Sequence, residues 1–179
     1  MATQRFIIAD VFTDRLFGGN QLAVLPDSHH LSDEAMQTLA REFNFSETVF
    51  IGAPDADNGT IPLRIFTPQC ELPFAGHPTV GAAVVLAEEG LIPMKGSEVS
   101  IIFREGVGDV PVTIRRKKNE HEATFAQLTT ARLPEQGDPP PPVEILAQML
   151  GLTARDILHD AKHRPEAHSC GVPFGFIPL

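Results

Sequence analysis

Between Phe74 and Gly90 the chain reads Phe-Ala-Gly-His-Pro-Thr-Val-Gly-Ala-Ala-Val-Val-Leu-Ala-Glu-Glu-Gly, and from Val80 to Ala87 not one side chain is polar. Pro78 suits the first helical position, where a missing N–H costs nothing. Gly90 suits the position just past the end, where a left-handed residue is wanted. The pattern predicts a helix over residues 78–89, about 18 Å long, with His77 as its N-cap. Such a helix has no polar stripe to turn toward water, so it must be covered on every side. The rest of the chain has to provide that cover.

The start of this helix carries chemistry. Free amides and the positive end of the helix dipole attract a carboxylate or phosphate, and Gly76 lets a ligand reach the backbone with no Cβ in the way. Taken alone, Gly76-His77-Pro78 is first a tight strand-to-helix turn with a capping imidazole, since turn residues mark turns first. Glu47, in Phe45-Ser-Glu-Thr-Val-Phe50, is the second candidate: a carboxylate among apolar residues at a strand start can have its pKa raised by desolvation and act as general acid or base. The bland reading points it to solvent on an alternating strand. Together, a carboxylate, an imidazole and an anion-binding helix end suit proton transfer beside a bound carboxylate.

In chain order, residues 5–12 and 21–25 read as strands around the glycine-bearing turn Leu16-Phe-Gly-Gly-Asn20. Ser32, followed by Asp33 and Glu34, caps a helix in which Met36, Leu39, Ala40 and Phe43 repeat at helical spacing, so one face should pack on a sheet. Residues 47–51 and 61–67 suggest a hairpin. After the central helix come β-rich segments at 98–103, 110–115 and 122–128, giving about seven strands in an α+β arrangement. Residues 131–142, with Pro134, Gly137 and Pro139 to Pro142, read as a stiff extended linker and a boundary. Beyond it, Val143 to Leu150 is helical by spacing, Thr153 caps a short helix through Leu158, and Gly171 to Leu179 is strand-like.

Charge and motif content exclude several classes. A formal charge of -9 and a pI near 5.2 argue against binding nucleic-acid phosphates, since the longest basic run is Arg115-Arg-Lys-Lys118, read as a solvated hairpin tip. The first residues lack the apolar stretch of a signal peptide, and no run approaches a membrane span, so the expected location is cytoplasmic. Cys70 and Cys170 stand far apart and read as free thiols. His159 and His163, with His168 and Cys170 following, form the one set that could bind zinc, although the polar context and Pro165 favour a solvated loop or helix end. His29-His30 reads as a surface pair.

Five segments together resemble a known family. Asp10-Val-Phe-Thr-Asp14, Phe17-Gly-Gly-Asn-Gln-Leu-Ala-Val24, Ser46-Glu-Thr-Val-Phe50, Arg64-Ile-Phe-Thr-Pro68 and Glu71-Leu-Pro-Phe-Ala-Gly-His-Pro-Thr79 occur in the order found in the PhzF-like isomerases of phenazine biosynthesis. The resemblance implies a diaminopimelate-epimerase-like fold, in which two similar halves each wrap a sheet around a central helix. It implies a cofactor-free, metal-free isomerase, typified by the enzyme acting on trans-2,3-dihydro-3-hydroxyanthranilate. Carried onto this chain, Glu47 shuttles the proton, His77 is a second catalytic group, and Asn20, Gly76, His77 and Pro78 bind a small carboxylate-bearing substrate.

Two departures qualify what the resemblance implies. Epimerases and racemases of this fold use a cysteine pair, whereas Ala75 precedes Gly76 here and Cys70 lies upstream of Pro73, which disfavours thiol chemistry. The family also has a complete second half, and Gly171-Val-Pro-Phe174 resembles only an early strand of it. The expected organisation is therefore a first lobe over residues 1–120 and the beginning of a second over 121–179, with a homodimer as the expected assembly. The competing reading is a non-catalytic relative or interaction module that lacks the second wall of the site.

Overall fold

The computed structural model describes residues 3–116 and 124–179. The chain divides into two compact units, residues 1–131 and 132–179, and the division falls where the proline-rich stretch begins. The lobe boundary expected at residue 120, and the Lys117-Lys118 part of the basic run, lie outside the described residues.

The first unit is a mixed sheet around the central helix. Its strands are β1 (Ile7–Val11), β2 (Asn20–Leu25), β3 (Glu47–Ile51), β4 (Ile61–Phe66), the two-residue β5 (Glu71–Leu72), β6 (Glu98–Glu105), β7 (Gly108–Arg115) and β8 (Phe125–Leu128). The sheet order is β1-β2-β3-β4-β6-β7-β8, with β5 paired to β4. Two pairs are parallel, β2 with β3 and β4 with β6, and the others are antiparallel. Helix α1 (Asp33–Phe43) lies on one face of the sheet, and α2 (Gly76–Glu88) on the other. α2 touches β1, β2 and β3 toward one end of the sheet and β7 and β8 at the other, so the sheet curls around it.

Strand alternation assigns each side chain to a face. Leu22 and Val24 of β2, Val49 and Ile51 of β3, and Ile61, Leu63 and Ile65 of β4 join Ala82, Ala83, Val85 and Leu86 of α2 in the main core. Leu25, Phe50 and Phe66 point the other way and meet Met36 and Ala40 of α1. α1 begins and ends as its sequence demands: the Ser32 hydroxyl accepts from the Ala35 amide at 3.3 Å, and Asn44 closes the helix in the left-handed region at φ 52°. Between residues 76 and 87 no residue of α2 is exposed, as a helix without a polar stripe requires. Gly81 permits this cover, because a Cβ there would stand 2.6 Å from Leu22 Cδ2 and 2.7 Å from Val11 Cγ2.

The helix does not start where its proline suggests. α2 spans Gly76–Glu88, its N-cap is Ala75 with no side-chain cap hydrogen bond, and His77 is the second helical residue. Pro78 is thus third rather than first. The position costs nothing, because none of the first amides of a helix has an acceptor one turn back; the first ladder bond runs from the Thr79 amide to the Ala75 carbonyl at 3.3 Å. The other end is as expected: Gly90 sits at φ 68°, its amide bonds Ala87 O at 3.2 Å and that of Leu91 bonds Leu86 O at 2.9 Å, a Schellman closure.

The second unit holds β9 (Glu135–Gln136), α3 (Val143–Leu150), a single 3-10 turn (Ala154–Asp156), β10 (Glu166–Ser169) and β11 (Pro173–Phe176), with sheet order β11-β10-β9. Two expectations are corrected here. The linker is not wholly unpaired, since Glu135 and Gln136 pair with Ser169 and His168. The helix after Thr153 stops after one turn instead of reaching Leu158: Asp156 Oδ2 accepts from both the amide and the hydroxyl of Thr153 at 2.8 Å, and Ile157 turns extended. That extension buries Ile157 beside Leu146 and Ala147 in a small core of the unit's own.

Candidate active site

The alternation that fills the main core also builds the site. Asn20 shares a face with Leu22 and Val24, and Glu47 shares one with Val49 and Ile51, so both point toward α2. β2 and β3 run parallel, with Leu22 opposite Glu47, and therefore begin at the same end of the sheet. The first turn of α2 lies at that end, and the three elements bring Asn20, Glu47 and His77 together beyond the apolar core. Gly19 makes the approach of β1 and β2 possible: a Cβ there would fall 2.3 Å from the Val11 carbonyl oxygen.

Glu47 does not point to solvent. Its side chain is 17% exposed and that of His77 10%, and Glu47 Oε2 stands 3.4 Å from His77 Nε2. Neither atom has a hydrogen-bond partner among the described residues. Two polar atoms left unpaired in a desolvated pocket are expensive, and such a pair is poised to bond a third group. On the far side of the imidazole, Nδ1 is 3.4 Å from Asn20 Nδ2, and Asn20 Oδ1 accepts from the Ser46 hydroxyl at 2.9 Å. The Asn20 amide is thus bracketed between the Ser46 hydroxyl and the His77 ring. Nε2, on the opposite edge of the ring, faces Glu47. Burial pushes the His77 pKa down, against the Glu47 carboxylate and a hydrogen bond to the Gln21 backbone, which push it up.

The helix start completes the arrangement. The amides of Gly76 and His77 precede the first ladder bond, and a Cβ built on Gly76 meets nothing within 4 Å, so the backbone there faces open space. Pro78 is buried and has no N–H, so what it contributes is the fixed backbone of the first turn. Of the residues expected at the site, Asn20, Glu47 and His77 converge, and Gly76 directly precedes His77 at the helix start. Ser46 was not singled out beforehand, although its place next to Glu47 in the Ser-Glu-Thr motif is a signal. Phe12 is a further neighbour, its ring centroid 6.5 Å from that of His77, on a residue at φ 63° and 77% exposed; left-handed backbone at a bulky residue often marks a functional site.

Other candidate groups lie apart. Cys70 is exposed in the turn before β5, bonded to Thr67 rather than aimed at Glu47. The segment from His159 to His163 is not helical, so its imidazoles do not stand at helical spacing. His159 contacts the Ile157 carbonyl, His163 pairs with Asp160, and His168 pairs with Glu166. Among the described residues no group of three or more His, Cys, Asp or Glu side chains comes together as a metal site. No helix among them is long and apolar enough to cross a membrane.

Comparison with known proteins shows the family. The model of the PhzC-PhzF family, phenazine biosynthesis-like protein, matches residues 9–179. The chain is 40% identical over 183 residues to an uncharacterized isomerase of Mesorhizobium japonicum, covering 100% of this chain and 57% of that protein. It is 39% identical over 124 residues to the trans-2,3-dihydro-3-hydroxyanthranilate isomerase of Pseudomonas aeruginosa, covering 69% of this chain and 42% of that one. Among solved structures, a "predicted epimerase" of Pseudomonas aeruginosa superposes with a TM-score of 0.82 at 30% identity, over 99% of this chain and 60% of the other. The chain thus spans about half the length of the relatives it matches. With an α+β, epimerase-like fold and a family model matched over nearly its whole length, this chain belongs to the PhzC-PhzF family of phenazine biosynthesis-like proteins.

Proposed function

We propose that the protein is a cofactor-independent isomerase that moves a proton, and with it a double bond, on a small carboxylate-bearing metabolite. The observation that carries the reading is the pair Glu47 Oε2 and His77 Nε2, buried, 3.4 Å apart and without hydrogen-bond partners among the described residues, at the first turn of a buried helix. The substrate carboxylate binds the Gly76 and His77 amides. Glu47 removes a proton from one carbon, the electron pair shifts along the adjacent double bond, and Glu47 returns the proton at the far carbon. His77, its ring positioned by Asn20, stands beside the substrate as a second acid/base or hydrogen-bonding group while negative charge develops. The balance needs neither an oxidant nor a reductant. The relative that acts on trans-2,3-dihydro-3-hydroxyanthranilate makes that compound the first substrate to try. The same reading favours a homodimer: Phe12, Leu16 and Phe17 are 77%, 84% and 89% exposed on the β1–β2 loop, an apolar rim through which a second copy would cover the site, and native mass tests it. For the reaction, turnover of trans-2,3-dihydro-3-hydroxyanthranilate is compared between the parent and a folded Glu47→Gln variant, with a loss of roughly 10²-fold or more expected. Full activity in the variant would overturn the reading.

A further inference from the structure

One buried ionisable group has no part in the proposed proton transfer. Glu105 is the last residue of β6, and alternation places it on the inward face with Phe103, which is fully buried. It is itself only 6% exposed. Its Oε1 lies 2.7 Å from the hydroxyl of Thr79, in the first turn of α2, and the same hydroxyl lies 2.8 Å from the carbonyl oxygen of Ala75, the helix N-cap. Its Oε2 is buried with no partner among the described residues.

The proton count of this chain decides its state. A hydroxyl has one hydrogen to donate, and a carbonyl oxygen can only accept. If Thr79 donates to Ala75, then Glu105 must carry the proton and donate it to Thr79, and every contact is satisfied. If Glu105 is ionised, Thr79 must turn its hydrogen to the carboxylate and leave the N-cap carbonyl. We propose that Glu105 is a positioning residue for the anion-binding end of α2: protonated, it completes the relay Glu105–Thr79–Ala75 behind the Gly76 and His77 amides; ionised, it breaks that relay and sets a negative charge behind them, weakening their hold on a carboxylate.

The surroundings leave the group free to titrate. Burial raises its pKa to about 7, opposed only by the Thr79 hydrogen bond. Thr79 is the polar side chain that α2 turns to it. The segment before α2 offers the Pro73 carbonyl, already bonded by the Val107 amide at 2.9 Å, and β7 sets Gly108 opposite it. Arg104 and Asp109, its charged neighbours along the hairpin, are exposed and paired to each other at 3.0 Å. Among the described residues no cation is there to hold the ionised form. The switch therefore lies near neutral pH.

This inference rests on the proposed carboxylate site, and the experiment separates the two. Anthranilate serves as a non-reacting small carboxylate, and its affinity for the protein is measured by calorimetry from pH 5.5 to 8.5, for the parent and for Glu105→Gln, whose amide can donate to Thr79 as the protonated acid does. In the parent, affinity falls by about tenfold as pH passes through 7, the size of effect that one charge within several Å exerts in a partly screened site. In the variant it stays near the parent's low-pH value. His77 titrates below its usual range, and its effect is common to both proteins. Amide NMR shifts of Gly76 and His77, followed without ligand, move with a midpoint near 7 in the parent and not in Glu105→Gln; Thr79→Ser, which keeps the hydroxyl, retains the transition. Binding with the same pH profile in parent and Glu105→Gln overturns the role of Glu105 alone. Absence of binding by the parent at every pH overturns the carboxylate site and this inference with it.

Discussion

Replacing Gly81 by Ala opposes two effects of different sign. Gly81 lies inside α2, where helix propensity alone makes Ala better by about 1 kcal/mol. The added methyl, however, would stand 2.6 Å from Leu22 Cδ2 and 2.7 Å from Val11 Cγ2, against an optimum of roughly 3.5–4.0 Å between carbon atoms. Both neighbours are buried, Leu22 completely and Val11 to 7% exposure, and they belong to adjacent strands. Neither can swing into free space, so β1 and β2 must shift together or the helix must lift. Overpacking of this kind costs about 1–3 kcal/mol, and with two strands forced to yield the upper part of that range applies. The net expectation is a loss of about 1–2 kcal/mol. The shift has a second consequence, because Leu22 is two residues from Asn20 and Val11 precedes Phe12. Lifting these strands lengthens the Asn20–His77 contact, already 3.4 Å. The assay is urea unfolding followed by far-ultraviolet circular dichroism, since the chain has no Trp or Tyr to report by fluorescence. If Gly81→Ala were as stable as the parent or more so, propensity would have won and the close contact of β1 and β2 with α2 would be wrong.

Three further outcomes are expected. Glu105 has its carboxyl raised from 4.5 to about 7 in the fold: below pH 4.5 both folded and unfolded chains hold the proton, between 4.5 and 7 only the fold does, and above 7 neither does. The parent should therefore lose, relative to Glu105→Gln, about 3 kcal/mol of stability as pH rises across that window, at about 1.4 kcal/mol per pH unit; a stability gap that does not change with pH would refute it. Asn20→Ala should loosen the His77 ring, seen as shifted and broadened imidazole signals in NMR, and an unchanged spectrum would show that Asn20 does not hold the ring. Gly76→Ala should leave stability within about 0.5 kcal/mol, because its methyl meets nothing within 4 Å, yet weaken anthranilate binding by filling the space before the amides; unchanged binding in calorimetry would remove Gly76 from the site.

The parts of the fold that announced themselves were those whose pattern is local. A helix with no polar side chain from Val80 to Ala87 has to be enclosed, and it is. Ser32 and its two acids mark the start of α1. The start of α2 was less legible because a proline anywhere in the first turn saves the same missing bond, so Pro78 could not distinguish a helix beginning at 78 from one beginning at 76. The short strands β5, β9 and β10 were missed for a different reason. Glu-Ala-His-Ser in β10 has no β-branched or aromatic residue, and its strand character comes from its partners on either side. At the site, Glu47 and His77 were visible as residue types beside their motifs. Their meeting depends on the parallel pairing of β2 with β3, which periodicity does not report. Glu105 had a signal that went unread: on a strand whose Phe103 faces inward, the residue two further on faces inward too, and a carboxylate there calls for an explanation.

The claim at the centre of this account is that Glu47 exchanges a proton with a bound carboxylate substrate. Its most direct test is deuterium incorporation from heavy water into trans-2,3-dihydro-3-hydroxyanthranilate, followed by mass spectrometry for the parent and for Glu47→Gln of equal circular dichroism. Incorporation by the parent and none above background by the variant is the expected result. Equal incorporation by both, or neither incorporation nor turnover by the parent, would contradict it.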